Sequence, residues 1–251
     1  SSIEIREAIR TGKWEGMTVG RAGRYVQAGL VILPKIQAYD FLVFCQRNSK
    51  SCPLLEVTDP GDPVPQQLAP SADLRTDIGL YSIIRDGSVV DEVPDIRSLW
   101  QEDFVAFLLG SSLTFSQALV DAGCTSSVGI GMYKTNIDCL PAGRFAGKMV
   151  VTMQALPAEK VARAVQVTSR FERTHGPPVH IGNPETIGIT NLSDYMYRPE
   201  LPIPDGHIPM FWACSVTPQV VAQESGIEFM ITHSSGHGFV TDYLDYDIAN
   251  P

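Results

Sequence analysis

The chain alternates between stretches in which apolar residues recur every three or four positions and short stretches that are almost wholly apolar. The first pattern is typical of amphipathic helices and the second of buried strands. The predicted helices cover residues 3–11, 35–46, 96–110, 115–123 and 157–171. The predicted strands cover residues 26–33, 81–85, 88–93, 148–154, 208–214 and 229–232, and the first of these could instead begin a helix.

The order of these elements predicts an α/β fold. Strands and helices alternate from residue 132 onward, which favours a mixed sheet flanked by helices. The Asp86-Gly87 pair between two alternating runs predicts a two-residue hairpin. We expect a main α/β domain of residues 1–58 and 132–251, with a smaller α+β subdomain, residues 59–131, inserted in the first half. The acidic tail from Asp242 is expected to be loose.

Composition narrows the class of protein. The 251 residues are 44% hydrophobic, and they include 19 basic and 28 acidic residues, a formal net charge of −9. No basic run could neutralise phosphates or anionic lipids, so neither a nucleic acid nor a membrane is an expected partner. Five scattered cysteines and a polar first segment predict reduced thiols in the cytoplasm. A small-molecule substrate is the expected partner, and a homo-oligomer is an open alternative.

A stiff acidic corner follows two buried runs. Gln46 lies between these runs and is costly to bury without a hydrogen-bond partner. Two prolines and one glycine in TDPGDP, residues 58–63, hold Asp59 and Asp62 at a fixed separation. Because loops beside apolar elements often carry function, Asp59 and Asp62 are candidate catalytic groups and Gln46 a candidate substrate contact. The alternative is a turn that carries two solvated acids.

Two further polar segments could bind a substrate. Asp73 could hold an ammonium group and Arg75 a carboxylate, the arginine in bidentate fashion. The alternative is a surface network of little energetic value. Thr135, Asn136 and Arg144, in the segment TNIDCLPAGR, offer further hydrogen-bond donors.

Four of the five histidines lie in two loops near predicted strand ends, where they suit proton transfer at neutral pH. The catalytic candidates are His180 in HGPPVH and His233 and His237 in HSSGH. As metal ligands, His233 and His237 would need a helical turn that Gly236 disfavours. We therefore expect no cofactor, with a divalent metal as the alternative. Cys214 ends an apolar run and is a candidate substrate contact; no histidine adjoins it in sequence to activate it as a nucleophile.

Several long segments together resemble the D-glutamate cyclase family, whose bacterial members are described as hydro-lyases. The segments are YVQAGLVILP, FCQRNSKSCPLLEVTDPGDP, ADLRTD, MYKTNIDCLPAGRF, ARAVQVTSRF, HGPPVHIGNP, FWACSVTPQ and ITHSSGHGFVTD. The resemblance extends from about residue 3 to residue 242. It implies a two-part α/β fold and a reaction that expels water, which in vertebrate relatives is the closure of D-glutamate to 5-oxo-D-proline.

The chain departs from the family pattern in several polar segments. Ser111 stands in place of a cysteine, Leu140 of an arginine, Asn183 of an aspartate, Ser215 of a glycine and Gly29 of an asparagine, and Ser234-Ser235 replace Ala-Pro. If those segments line the pocket, the missing arginine at position 140 favours a substrate less anionic than glutamate. The departures predict a specialised relative.

Closure of a lactam needs a base for the ammonium group, donors for the tetrahedral oxyanion and an acid for the departing hydroxyl. The proton shuttle is expected to be His180 or His233, and the ammonium partner Asp59 or Asp62. The donors are expected to be Arg75, Asn136 and Arg144, around the same pocket. The alternatives are hydration, hydrolysis or elimination on a related metabolite, and a relative that binds a ligand without catalysis.

Overall fold

The computed structural model of the chain describes residues 1–18, 20–126, 128–197 and 202–250. The helices are α1 (Ser2–Arg10), α2 (Lys35–Arg47), α3 (Ser116–Asp121), α4 (Val161–Thr168), α5 (Thr217–Glu224) and α6 (Asp245–Ile248). The strands are β1 (Tyr25–Pro34), β2 (Leu54–Val57), β3 (Tyr81–Arg85), β4 (Ser88–Val93), β5 (Phe104–Gly110), β6 (Gly131–Asp138), β7 (Lys148–Pro157), β8 (His180–Ile181), β9 (His207–Ala213), β10 (Phe229–His233) and β11 (Phe239–Leu244). Within the described ranges, no helix has the length and apolarity needed to cross a bilayer.

Seven strands form one sheet around β1. The order is β2-β5-β1-β10-β3-β4, and β11 also pairs with β1. On one side of β1, β5 pairs along residues 28–34. On the other side, β11 pairs near the start of β1 and β10 near its end. β1 therefore joins strands from the middle and the end of the chain.

The second sheet has the order β6-β7-β9-β8. Its longest pairing joins residues 151–157 of β7 to residues 207–213 of β9. The named strand pairs of both sheets are antiparallel. The short edge strand β8 pairs with β9 at only two positions.

β1 is buried on both faces. Val31 belongs to a core that the first sheet shares with α2 and the second sheet, whereas Leu30 belongs to a core on the opposite face. In the shared core, Phe41 of α2 packs edge-on against Phe107 of β5, with ring centroids 4.9 Å apart. Burying each such side chain contributes roughly 1.5–3 kcal/mol before the entropy cost. The uninterrupted apolar run in β1 is what a strand with two packed faces requires.

The α/β class is confirmed, with antiparallel pairing in the described strands. One predicted element is wrong. The helix expected over residues 96–110 is replaced by turns followed by β5. All seven residues of β5 are buried, and β5 lies between β1 and β2. In a run that is apolar on both faces, residue spacing does not separate helix from strand, and pairing with neighbouring strands decides.

The acidic tail is also ordered, contrary to the expectation. Asp245 exposes 1% of its surface, and its backbone N–H donates to the carbonyl of Arg24 at 2.7 Å. The boundaries of the expected subdomain, residues 59–131, stay a prediction. Three strands of that segment, β3, β4 and β5, belong to the same sheet as β1 and β10.

A buried ion network joins α1 to the first sheet. Arg6 exposes 1% of its surface and Asp77 none, and Nε of the arginine lies 4.0 Å from Oδ2 of the aspartate. Arg10 adds a bidentate pair with Asp77, at 2.7 and 2.6 Å. Arg6 also donates to the carbonyl of Val240 at 2.8 Å and lies 2.8 Å from the carboxylate of Asp242. One buried carboxylate thus faces two guanidinium groups.

Replacing Asp77 tests this network. The Asp77→Asn variant should lower the free energy of unfolding by about 3 kcal/mol, because it leaves the buried charge of Arg6 only partly balanced. Urea denaturation measures the change. The matched control is Asp138→Asn, which removes the exposed partner of Lys148 and should change the same quantity by less than about 1 kcal/mol. Similar small losses in both variants would contradict the account.

His175 is buried in a left-handed turn. It exposes none of its surface and has a φ of +81°. Its Nδ1 lies 2.9 Å from the carbonyl of Lys50, which can only accept, so Nδ1 carries the ring proton. Burial lowers the pKa of His175 to about 4, so the ring is neutral at pH 7. The lone pair on Nε2 has no partner within the described part of the chain.

This histidine makes folding stability depend on pH. The unfolded chain protonates a histidine near pH 6.5, whereas folded His175 stays neutral until about pH 4. The free energy of unfolding should therefore fall between these pH values, by about 3 kcal/mol for this residue. His175→Asn, which suits a left-handed turn, should lose less stability than the wild type over the same interval. Urea titrations at pH 7 and pH 4 measure both, and equal losses would contradict the assignment.

Candidate functional site

The ends of strands from both sheets line an open pocket of about 360 Å³, which we call the first cavity. Its lining includes residues 111–113, 129–130, 214–216 and 235–236, together with Met17, Met132, Thr152, Tyr197, His233 and Gly238. These residues follow β5, β9 and β10 and adjoin the start of β6. A concave pocket with converging polar groups is the default candidate for a ligand site.

His233 is the titratable imidazole of this cavity, and the strand pairing sets its tautomer. Val31 and Ile32 of β1 pair with Thr232 and Ile231 of β10, which places Leu30 opposite His233. The backbone N–H of Leu30 donates to Nδ1 of His233 at 3.0 Å. The carbonyl of Leu30 is farther away, at 3.4 Å. Because a backbone N–H keeps its proton, Nδ1 must accept, and a neutral ring carries its proton on Nε2.

The ring of His233 is neutral at pH 7. Burial is the main cause that lowers the pKa of His233 to about 4; the nearby His237 also lowers this pKa, and a hydrogen bond with the backbone of Leu30 raises it. In the described residues, Nε2 of His233 has no hydrogen-bond partner, and the residue lines the cavity. The first cavity therefore contains a ring N–H that can donate a hydrogen bond. The expected role of His233 as a proton shuttle changes accordingly: an Nε2 atom that already carries a proton cannot accept one from an ammonium group.

Gly29 makes room for this ring. A Cβ atom at position 29 would lie 2.8 Å from Cε1 of His233 and 3.0 Å from Cβ of Ser215. Real Cβ atoms do not approach a neighbour as closely as the first distance, so any larger residue would force the ring or its surroundings to shift. Gly29 lies in β1, where its neighbour Leu30 holds Nδ1. The same strand thus fixes the position and the tautomer of the imidazole.

Backbone N–H groups line the same cavity as the imidazole of His233. Ser112 begins a short 3₁₀ helix, and Ser215 and Val216 precede α5. The backbone N–H groups of Ser112 and Ser215 have no acceptor among the described residues, as is usual at a helix start. The N–H of Val216 hydrogen-bonds the sulfur of Cys214, which lowers the pKa of that thiol against the larger effect of burial. All three residues line the first cavity. Unpaired N–H groups at helix starts favour carboxylate or carbonyl oxygens as ligands.

The remaining wall is largely apolar. Met17, Ile130 and Met132 contribute side chains to it. Cys214 adds a thiol whose Sγ lies 3.8 Å from Sδ of Met132. Burial raises the pKa of Cys214 to about 11, so the thiol stays protonated at neutral pH and is a poor nucleophile. The cavity therefore combines donors on one side with a nonpolar surface on the other.

His237 lies at the end of the turn that follows His233. The turn is closed by a hydrogen bond from the N–H of His237 to the carbonyl of Ser234 at 3.0 Å. His237 lines a second cavity of about 420 Å³, together with Trp14, Glu15 and Asp95. His233 and His237, four positions apart in HSSGH, therefore line different cavities.

The acidic segment of residues 58–63 forms a turn that local hydrogen bonds stabilise. Asp62 accepts the N–H of Val64 at 2.9 Å and the amide of Gln66 at 3.0 Å. Asp59 is exposed, and its carbonyl accepts the N–H of Asp62. Neither aspartate is among the residues that line the first or the second cavity. The stiff geometry expected from the prolines is present, but away from the imidazoles.

The predicted arginines are paired with acids elsewhere. Arg75 and Asp73 bind each other in bidentate fashion, at 2.9 and 2.8 Å. Arg144 forms an ion pair with Glu228 and donates to the carbonyl of Gly226 at 3.1 Å. Arg144 and Glu228 line a separate surface cleft. These pairs match the alternative of a surface network better than a shared substrate site.

The other predicted contacts also lie outside the first cavity. Thr135 donates to the carbonyl of Met149 within the second sheet at 2.8 Å. Asn136 packs under Gly188, and Gln46 is exposed near the end of α2. Nε2 of His180 lies 2.7 Å from the carbonyl of Asn183, so it holds its own loop. Thr135, Asn136 and His180 thus have structural roles that residue type alone does not reveal.

The expectation of one pocket for all these groups is therefore wrong. Of the predicted site residues, His233 and Cys214 line the first cavity. In the part of the chain that is described, no three His, Cys, Asp or Glu side chains form a metal-binding group. The absence of a cofactor stays a prediction.

The residues that sequence reasoning missed as site residues are mainly small and uncharged. Ser111, Ser215 and Ser235 line the first cavity, and Gly29 abuts His233. All four belong to the positions at which the chain departs from the family pattern, so that comparison was the available signal. Leu140 differs: it exposes 61% of its surface and lies outside the cavity. The absence of an arginine at position 140 therefore gives no reason to expect a substrate less anionic than glutamate.

Comparison with known proteins finds relatives along nearly the whole chain. A family model described as D-glutamate cyclase matches residues 105–242. A Bacillus licheniformis protein named "Putative hydro-lyase" is 53% identical over 247 residues, which cover 96% of this chain and 94% of that one. A Bacillus subtilis protein with the same designation is 50% identical and covers 98% of each chain. A Geobacillus kaustophilus relative, also so designated, is 50% identical over 99% of this chain and 97% of its own.

Among solved structures, a nitrogen repressor-like protein from Methanococcus jannaschii aligns with 91% of this chain and 90% of its own, at 8% identity and a TM-score of 0.40. A likeness at that level carries no argument about function. The sequence matches show the family, because they extend over nearly the full length of both aligned chains. The chain belongs to the D-glutamate cyclase family.

Proposed function

We propose that this protein is a hydro-lyase that acts on a small carboxylic or amino acid, with the first cavity as its active site. The relatives' hydro-lyase designation supports the reaction class. The observation that carries the choice of site is the hydrogen bond from the N–H of Leu30 to Nδ1 of His233. It fixes an N–H donor at the cavity wall, where a reaction that expels water needs one.

The proposed reaction is a lactam closure of the D-glutamate cyclase type. The substrate's amine forms a C–N bond with its own carboxyl carbon, and one C–O bond breaks. The two hydrogens that the ammonium group loses leave with the oxygen as water. Charge gathers on the remaining carboxyl oxygen in the tetrahedral intermediate, and preorganised donors stabilise it most effectively in a site that excludes water.

The described lining supplies donors for that oxygen. Nε2–H of His233 is one, and the unpaired backbone N–H group of Ser215 is another. A neutral imidazole suits this role because its proton position is fixed and its pKa is too low for it to be charged at pH 7.

Cys214 has no covalent role in this scheme. Its thiol is protonated at neutral pH because burial raises its pKa to about 11. The amine therefore attacks the carboxyl carbon directly, without an acyl-enzyme intermediate. Cys214 contributes shape to the cavity beside Met132.

Substitution of His233 tests the donor role. The purified protein is incubated with D-glutamate, L-glutamate and a panel of small amino and hydroxy acids, and each mixture is read by mass for the loss of one water. Activity found for the wild type should fall about 10²–10³-fold in His233→Phe, which fills the site but has no N–H. His233→Gln, which retains an amide N–H, should recover part of that loss.

The outcomes separate the alternatives. Equal activity of His233→Phe and the wild type would remove His233 from the mechanism. Binding of a panel acid to the wild type without any change in mass would contradict the enzymatic proposal and favour a ligand-binding relative. The His180→Phe variant is the matched control, because that histidine lies outside the cavity and should leave turnover within about threefold of the wild type.

Cys214→Ala should retain most of the activity. The substitution removes a protonated thiol and leaves a small void beside Met132, so a loss of up to about tenfold is expected from altered shape. Single-turnover measurements on the same substrate check it. A loss greater than a thousandfold, or a covalent adduct on Cys214 detected by intact-protein mass, would contradict the direct attack.

A further inference from the structure

The second cavity combines two carboxylates, an imidazole and an indole ring with apolar residues and one arginine. His237 exposes only 9% of its surface, and its Nδ1 lies 3.1 Å from the carbonyl of Ser235. A carbonyl only accepts, so Nδ1 carries the proton of the neutral ring and Nε2 presents a lone pair. Within the described ranges, that nitrogen has no partner. It is an acceptor on a residue that lines a cavity of about 420 Å³.

The two histidines of the HSSGH segment therefore have opposite tautomers in their neutral forms. Nε2 of His233 carries a proton, because the N–H of Leu30 occupies Nδ1. Nε2 of His237 carries none, because the carbonyl of Ser235 takes the proton of Nδ1. The first cavity is thereby supplied with a donor and the second with an acceptor. The two sites call for ligands of different chemistry.

Glu15 supplies a negative charge to the second cavity. It is exposed, and its carboxylate forms no ion pair with another described residue. The other charged groups of the lining are already paired: Arg10 binds Asp77 in bidentate fashion, and Asp95 binds Arg97. The charge left without a partner in the cavity wall is therefore that of Glu15.

Trp14 adds an aromatic surface that already attracts a cation. Its indole N–H donates to the carbonyl of Gly16 at 2.7 Å, so its polar edge is occupied. The guanidinium carbon of Arg21 lies 4.9 Å from the ring centroid. An indole face is the best side-chain partner for a cation. Arg21 occupies one face of the ring, and Trp14 also lines the cavity.

We propose that the second cavity is a binding site for a small organic cation with N–H groups, that is, a primary ammonium compound. Glu15 provides the counter-charge, the indole of Trp14 contacts the alkyl group beside the nitrogen, and Nε2 of His237 accepts a hydrogen bond from the ammonium group. The site is separate from the first cavity. Thr18 anchors the segment between the cavities by donating its N–H to the carbonyl of Gly236 at 2.9 Å.

Titration with methylammonium chloride tests this site directly, without reference to catalysis. The indole N–H signal of Trp14 in a proton–nitrogen NMR spectrum should shift saturably as the probe is added. Sodium chloride at the same ionic strength and sodium acetate should produce no saturable shift. No saturable shift with methylammonium, or an equal one with sodium chloride, would overturn the proposal.

Two variants locate the binding. Glu15→Gln should raise the dissociation constant for methylammonium by about fivefold or more, because it removes the counter-charge but keeps the size of the side chain. His237→Phe should weaken binding as well, because it removes the acceptor. Glu7→Gln is the matched control, since Glu7 is an exposed acid on α1 that does not line the cavity, and it should bind like the wild type. Equal affinity in Glu15→Gln and Glu7→Gln would overturn the assignment even if methylammonium binds.

Discussion

The account depends on one hydrogen bond, from the backbone N–H of Leu30 to Nδ1 of His233. It lies next to the last paired positions of β1 and β10, Val31 and Thr232. Because the donor belongs to the central strand of the larger sheet, one nitrogen of the imidazole is tied to that sheet. A backbone donor cannot change its protonation state, so it dictates where the ring proton sits. Burial then keeps the ring neutral, with a pKa of about 4.

The same constraint explains why small residues surround the ring. Gly29 has no side chain because a Cβ there would meet His233 and Ser215. Ser111, Ser215 and Ser235 leave a cavity that larger residues would fill. The site is thus defined by space and by the direction of N–H groups rather than by paired charges. In such a site the electrostatic effect comes from fixed dipoles, which need no reorganisation as charge develops on a substrate.

Much of the fold could be predicted from the sequence, because its long elements carry clear signals. The hairpin at Asp86-Gly87 and the helix α2 follow from turn chemistry and spacing. β5 was wrongly predicted as a helix because its run is apolar on both faces and only its neighbours β1 and β2 decide. The candidate site was harder to predict from the sequence. Charged residues such as Arg144 and Asp73 drew attention by type, yet each is paired with another side chain, while Gly29 and Ser215 matter through distances that no linear pattern encodes.

The most direct test of the central claim is a proton–nitrogen NMR spectrum of the His233 ring, assigned by comparison with His233→Gln. The account predicts a neutral ring at pH 7, with the proton on Nε2 and an unprotonated Nδ1, and no protonation until the pH falls to about 4. A ring protonated on Nδ1 at pH 7, or one that becomes positively charged near pH 6.5, would contradict it.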